Sequence, residues 1–221
     1  MDKKNIIVKE TDDGSKTFFV LSLDEHYHSV KGAYTESKHI YIDYGFNSFN
    51  LKKLSVLEIG FGTGLNTYLT AIEAEKREIK TDYTTLEKYP LSWSEINQLN
   101  EKPNDLYQTI HTSSWNHTIK LSPKFSLLKI QADYTKEIFN LPEANFDLVY
   151  FDAFAPEKQP NMWQEELFQR LYVIMKPNSR LTTYCVKGAI RRMMQRCGFE
   201  VKRLPGPPGG KRQILCAIKN E

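Results

Sequence analysis

LSVLEIGFGTGLN (54–66) joins a short apolar run without polar alternation to a glycine loop, which opens onto a helix-like stretch from Leu65 to about Lys76. A strand buried on both faces reads this way, as a parallel sheet requires. The glycines let the backbone turn sharply and approach a ligand where a Cβ would collide. Downstream the strand–helix rhythm continues. TDYTTLE (81–87), FSLLKI (125–130), FDLVYFD (146–152) and RLTTYC (180–185) read as strands. PLSWSEINQLN (90–100), YTKEIFNL (134–141), NMWQEELFQRLYVIM (161–175) and GAIRRMMQRC (188–197) read as helices. Pro177 is expected to end the third of these, and Gly198 closes the fourth. FEVKRL (199–204) and RQILCAIK (212–219) flank the turn PGPPGGK, so this last pair must be antiparallel.

The expected fold class is therefore α/β: a Rossmann-like, open, mostly parallel sheet with a C-terminal antiparallel hairpin, spanning residues 51–221. Residues 1–50 read as a small β-rich N-terminal extension. Its expected strands are TFFVLSL (17–23) and HIYIDYGF (39–46), on either side of the polar stretch DEHYHSVKGAYTES (24–37).

The chain has 221 residues, of which 40% are hydrophobic, enough for one domain with a substantial core. The formal net charge of +3 conceals a split. Residues 1–175 carry a net −6, whereas residues 176–221 carry 11 Lys+Arg against Glu200 and Glu221, a net +9. A basic segment rich in spaced apolar residues points to a polyanionic partner. No run approaches the ~20 apolar residues of a membrane span. The start MDKKNIIVKE has no apolar signal core. Three scattered cysteines suit a reducing cytoplasm and offer no zinc spacing, so no metal is expected.

The loop spacing is GxGxG, not the GxGxxG of dinucleotide sites; Asn66 stands where the third glycine would fall. Glu58, two residues before Gly60, suits a ligand bearing an ammonium group rather than a pyrophosphate. That ligand is S-adenosylmethionine, whose methionine part carries the amine. Glu87, at a strand end, can accept both ribose hydroxyls, and Asp133 the adenine amino group. Gly60, Phe61, Gly62, Gly64, Asn66 and Lys88 complete the expected cofactor set. Asp152 ends a buried strand, where open α/β sheets place their chemistry. It is the candidate catalytic residue and also touches the cofactor. A free alkylamine with a pKa near ~10.4 is mostly protonated at neutral pH, so a carboxylate here would orient it and help carry away its proton. Phe154 and Pro156 would wall a base, and Lys158 and Lys187 lie near the expected rim. Arg191, Arg192, Lys211 and Arg212 belong to the basic cluster expected to meet RNA phosphates. For each of these charges alone, a solvated surface position is the blander reading.

EIGFGTGLN, TLEKYPL, FDAFAPEKQPNMW, GAIRRMMQRCGFEV and GGKRQILCAI occur in the order found in one family. The chain resembles the methyltransferase domain of MnmC, the bifunctional tRNA 5-methylaminomethyl-2-thiouridine biosynthesis proteins, and its stand-alone MnmD-like form. The resemblance runs from about Asp24 onward. It implies a class I methyltransferase fold using S-adenosylmethionine to methylate the aminomethyl group of a wobble uridine in the tRNA anticodon loop. In the family pattern Gly60, Gly62, Gly64, Glu87 and Asp133 serve the cofactor, and Asp152 faces the amine. No counterpart of the family's FAD-dependent oxidase half appears, so that activity is not expected, and another enzyme would supply the aminomethyl substrate. Two other readings stay open: an N-methyltransferase of a small amine or protein, and a non-catalytic RNA-binding module on the same scaffold.

Overall fold

The computed structural model describes residues 6–99 and 104–221. Among these residues two sheets form. Strands β1 (Ile6–Glu10), β2 (Lys16–Val20) and β3 (Glu25–His26) make a small antiparallel sheet in that order. Helix α1 (Ala33–Ser37) then passes directly into a π-helical turn, Lys38–Asp43. The Rossmann-like part runs β4 (Lys53–Ile59), α2 (Leu65–Lys76), β5 (Lys80–Glu87), α3 (Trp93–Ile96), α4 (Asp105–Thr112) and β6 (Thr118–Lys120). It continues with β7 (Phe125–Gln131), α5 (Tyr134–Glu137), β8 (Phe146–Phe151), α6 (Glu165–Ile174), β9 (Met175–Thr183), α7 (Gly188–Arg196), β10 (Glu200–Pro205) and β11 (Gln213–Lys219).

The larger sheet has the order β10-β11-β9-β8-β4-β5-β7-β6. Pairs β4–β5, β4–β8, β5–β7 and β8–β9 are parallel. The hairpin is antiparallel, with β11 inserted between β9 and β10. β4 is buried throughout its inner half because both faces are covered, and apart from Glu58 that half is apolar. Leu57, Ile59 and Val149 meet Phe168, Leu171 and Met194 of α6 and α7 on one side. Leu54 and Val56 meet Ala71 and Ala74 of α2, with Ile40 and Tyr41, on the other. Full burial of each such large side chain is worth about 1.5–3 kcal/mol. The chain winds outward from β4 through β5 to β7, then in the opposite sense from β8 to β9. The crevice between the C-terminal ends of β4 and β8 is therefore the switch point where open α/β sheets bind ligands.

The expected open, mostly parallel sheet with its C-terminal hairpin is present. Three local expectations differ. HIYIDYGF is not a strand: Lys38–Asp43 is helical, and the stretch before it holds β3 and α1. Its Ile and Tyr residues favour strands by propensity, but buried Ala33, Ser37, Ile40 and Tyr41 recur at helical spacing and pack on α2 and Tyr150, so tertiary burial prevails. Pro177 does not terminate α6, which ends at Ile174; the proline sits inside β9, where the register with β8 shifts between Phe146 and Leu148. A proline lacks the ladder N–H, and an irregularity accommodates it. Finally, α4 and β6 arise from a stretch in which no element was expected. Asn100, the last residue of the expected 90–100 helix, lies outside the described residues.

Candidate active site

At the switch point a cavity of about 370 Å³ opens over the strand ends. Its floor is formed by the ends of β4 (Gly60, Gly62), β5 (Leu86, Glu87), β7 (Ala132, Asp133) and β8 (Asp152, Ala153, Phe154). Its roof is the segment Glu25–Val30, that is β3 and the residues that follow it. Two glycines shape the floor. Gly60 has φ +93°, and a Cβ there would stand 2.6 Å from the Asp152 carbonyl oxygen. β4 and β8 can converge this closely only without a side chain at residue 60. Gly62 has φ +50° and lies under the Tyr27 ring, which a Cβ would meet at 3.1 Å.

The Gly62 N–H donates to Glu87 Oε2 (3.1 Å) and the Tyr89 N–H to Oε1 (2.8 Å). Burial raises the Glu87 pKa, and these backbone bonds oppose the rise. Each oxygen keeps a lone pair for a further donor. Asp133 caps α5, with Oδ1 accepting from the Thr135 N–H (3.0 Å) and hydroxyl (2.8 Å), and Lys88 Nζ lies 2.8 Å from Oδ2. Burial raises its pKa, but the Lys88 and Thr135 bonds outweigh this and hold the carboxyl below its ordinary value.

Asp152 is gripped from both sides. Tyr41 donates its hydroxyl to Oδ1 (2.7 Å), and Asn66 donates Nδ2 to Oδ2 (2.8 Å). Burial pushes its pKa up to about 6 against the lowering effect of these two bonds. Such a carboxylate is ionised at neutral pH and close enough to neutrality to exchange a proton. Beside it stand Phe154, whose ring meets Tyr27 edge-on at 5.2 Å, and Tyr184, whose hydroxyl donates to the Ala153 carbonyl (2.8 Å). Lys211 reaches in from the hairpin turn, its Nζ 3.9 Å from the centre of the Tyr184 ring. Trp163 packs on Phe151 and donates Nε1 to the Phe154 carbonyl, fixing the loop from below.

Not every expected residue lies here. Gly60, Gly62, Glu87, Lys88, Asp133, Asp152, Phe154 and Lys211 line the cavity. Glu58 does not: it is fully buried beneath the loop, accepting from the Thr67 hydroxyl at 2.9 Å. It is therefore not placed to meet an ammonium group in the cavity. Phe61 turns away to pack on His111 and Trp115. Gly64 starts α2 with φ +71°, and Asn66 acts on Asp152 from behind. Pro156, Lys158, Lys187, Arg191, Arg192 and Arg212 lie away from the cavity wall. Lys158 pairs with Asp24 and Lys187 with Glu157, while Arg191 donates to Gln195. Tyr41, Tyr184, Glu36 and Tyr89 were not anticipated. For Tyr41 the helical spacing of residues 33, 37, 40 and 41 is the signal that marks it as inward-facing.

Strand order, a glycine loop at the switch point and acids on successive strand ends define a Rossmann-like nucleotide-binding enzyme. Residues 83–220 match the family of S-adenosyl-L-methionine-dependent methyltransferases, and the chain belongs to that family. Over 218 residues it is 29% identical to the tRNA 5-methylaminomethyl-2-thiouridine biosynthesis bifunctional protein MnmC of Dichelobacter nodosus, covering 88% of this chain and 34% of that protein. Its MnmC relative from Idiomarina loihiensis is 30% identical, covering 88% of this chain and 36% of the relative. The chain thus spans about a third of the length of these curated relatives. It shares its fold with the crystal structure of MnmC2 from Aquifex aeolicus (TM-score 0.77, 22% identity, 98% of this chain and 71% of the other). Spermidine synthase from Thermotoga maritima is a more distant match (TM-score 0.54, 16% identity, 98% and 73%). The cofactor is S-adenosyl-L-methionine. The residues present fit it: bare main chain at Gly60 and Gly62, and free lone pairs on a Glu87 carboxylate held by two N–H groups. No group of three or more potential metal ligands occurs among the described residues.

Proposed function

We propose that this chain methylates the aminomethyl nitrogen of 5-aminomethyl-2-thiouridine at the tRNA wobble position, giving 5-methylaminomethyl-2-thiouridine. The observation that carries this reading is Asp152: a carboxylate clamped by Tyr41 and Asn66, with one edge turned to a cavity walled by aromatic rings. The bound cofactor supplies an electrophilic methyl group on a sulfonium centre. With that cofactor bound, Asp152 would hydrogen-bond the amine, hold its lone pair towards the methyl group and take up the proton the nitrogen loses on methylation. Phe154 and Tyr27 offer ring faces to an extruded base, as aromatic side chains do for single-stranded RNA. Glu87, Lys88 and Asp133 are assigned to the ribose and adenine end. Lys211 at the cavity, with Lys202, Arg203 and Arg212 exposed on the same hairpin, supplies phosphate contacts, with Arg191 and Arg192 on α7. The names of the MnmC relatives support tRNA as the substrate class. A cytoplasmic setting follows from that substrate.

The test is methyl transfer to tRNA carrying the aminomethyl nucleoside, read by nucleoside mass spectrometry, with ribonuclease-treated tRNA as control. Asp152→Asn is expected to lower kcat by about 10²–10⁴-fold, the usual worth of a positioned general base, with cofactor affinity little changed. Parent-rate turnover by this variant would remove Asp152 from the role.

A further inference from the structure

The glycine loop contains Gly62-Thr63-Gly64, with φ +50° at Gly62 and +71° at Gly64. A residue between two glycines is held weakly by its own chain, since each glycine frees the backbone on its side. Here α4 holds it. The Thr63 carbonyl oxygen accepts from the Tyr107 hydroxyl and from His111 Nε2 (2.8 Å), two side chains one helical turn apart. A carbonyl oxygen has two lone pairs, and both are taken. The peptide plane between Thr63 and Gly64 cannot rotate without stranding two buried donors.

The helix that supplies these donors is fixed at both ends. Asn104 Oδ1 accepts from the Leu106 and Tyr107 N–H groups (2.9 and 3.4 Å). At the other end Lys129 Nζ, buried on β7, donates to the carbonyls of Ile110 (2.7 Å) and His111 (3.0 Å). A cation at that end also meets the negative pole of the helix. The third glycine of the loop answers to the same contact. A Cβ on Gly64 would stand 2.8 Å from His111 Nε2 and 2.9 Å from the Phe61 ring, whereas Gly64 does not line the cavity. Its bare backbone admits the histidine.

None of residues 105–112 lines the cavity over the strand ends. We infer that Tyr107 and His111 are positioning residues for the cofactor: by filling both lone pairs of the Thr63 carbonyl they hold the glycine loop in the shape that S-adenosylmethionine binds. A loop that turned at Thr63 would carry Gly62 with it and break the bond from the Gly62 N–H to Glu87 Oε2 (3.1 Å). With α4 in place the loop is ordered on folding, and the cost of ordering it does not fall on binding. The inference rests on the placement of the cofactor over Gly60 and Gly62 and is independent of which amine is methylated. It also fixes a chemical detail. A carbonyl only accepts, so His111 carries its hydrogen on Nε2.

The test is calorimetric titration of the full chain with S-adenosylmethionine, beside its Tm. Tyr107→Phe removes only the hydroxyl and should weaken binding about three- to tenfold, the worth of one ordinary hydrogen bond. His111→Leu should weaken it similarly. His111→Gln should recover most of that loss, because its amide N–H can donate from the place of Nε2. A role in the fold alone would lower Tm and leave the affinity of the folded protein unchanged. That result for both Tyr107→Phe and His111→Leu would overturn the inference, and so would a glutamine variant as weak as the leucine variant. Nitrogen-15 NMR at pH 7, with the His111 signals assigned by their loss in His111→Gln, should show the hydrogen on Nε2. A hydrogen on Nδ1 alone would overturn the inference without any variant having to bind. If His111→Leu does not fold, Tyr107→Phe and the NMR spectrum still decide. Gly60→Ala separates the two levels of the reading. Wild-type affinity in that variant would count against the cofactor's placement, whereas a weakened Gly60→Ala beside unweakened α4 variants would count against the α4 contact alone.

Discussion

The floor and the roof of the cavity are built on different physical terms. The floor is the ends of four parallel strands, each hydrogen-bonded to neighbours on both sides, with every carboxylate oxygen of Glu87 and Asp152 tied to a named donor. The roof is a three-stranded sheet whose third strand has only two residues. Phe18 of β2 packs with Ile96 and Tyr107, and over the cavity the contacts are His28 Nε2 to the Thr63 hydroxyl (3.3 Å), the Tyr27 ring over Gly62 and against Phe154, and the exposed Lys158–Asp24 pair. An exposed ion pair of this kind is worth little. The groups assigned to chemistry thus sit on strand ends paired on both sides, whereas the cavity is covered by the end of a small three-stranded sheet. Ligand-admitting elements are drawn from the less stable parts of a fold.

The strongest challenge to this contrast is Gly60→Ala. A methyl at φ +93°, 2.6 Å from the Asp152 carbonyl, must push β4 and β8 apart. The expected cost is about 1–3 kcal/mol, read as a Tm lower by several degrees, together with loss of measurable cofactor binding. Wild-type Tm and affinity would show that the floor is not rigid. Tyr27→Ala removes the ring by which the roof meets the floor, at Gly62 and Phe154. It should lower Tm less than Gly60→Ala does and weaken cofactor binding about tenfold, or ~1.4 kcal/mol, with kcat affected less. A kcat loss as large as that of Asp152→Asn would erase the distinction between the two halves.

The smallest effect at neutral pH concerns the hinge between them. Burial lowers the pKa of His28 to about 4, and burial likewise lowers that of His111, against the floor side of the loop, to about 4. The folded values lie below the ordinary value of 6.5, so both rings fold neutral. Their contribution to stability is complete above pH ~6.5 and is lost as pH falls from there towards about 4. Hydrogen exchange at about pH 5 should therefore show residues 16–30 losing protection before β4 and β8. Uniform protection would mean that the roof is no weaker than the floor.

The same division explains what was legible in the sequence. A parallel strand buried on both faces leaves an unbroken apolar run, and a strand end followed by glycines or an acid marks the site. The positions of β4, β8, Gly60, Glu87 and Asp152 therefore follow from residue order, and that of β5 from its β-branched and aromatic residues. Side-chain direction does not. Glu58 is encoded two residues before Gly60, yet only the packing of α2 shows that it meets Thr67 rather than the cavity. Tyr41 lay hidden in a run whose aromatic and β-branched residues favour a strand until Tyr150 and α2 bury one side of it. The basic excess of the last segment was visible as a sum. However, Lys187 pairs with Glu157 and Arg196 with Glu165, partners about thirty residues away that only folding brings near.

The position of β11 also constrains how the molecule assembles during synthesis. β10 leaves the ribosome first but has no partner in the sheet other than β11, which must slot between it and β9. Until Gln213–Lys219 emerges, β9 presents an open edge of unpaired N–H and C=O groups, and β10 cannot dock. An open edge on a nascent chain is a template for aggregation. The order of strands in space, reversed from their order in time, makes completion of the sheet a late, single event.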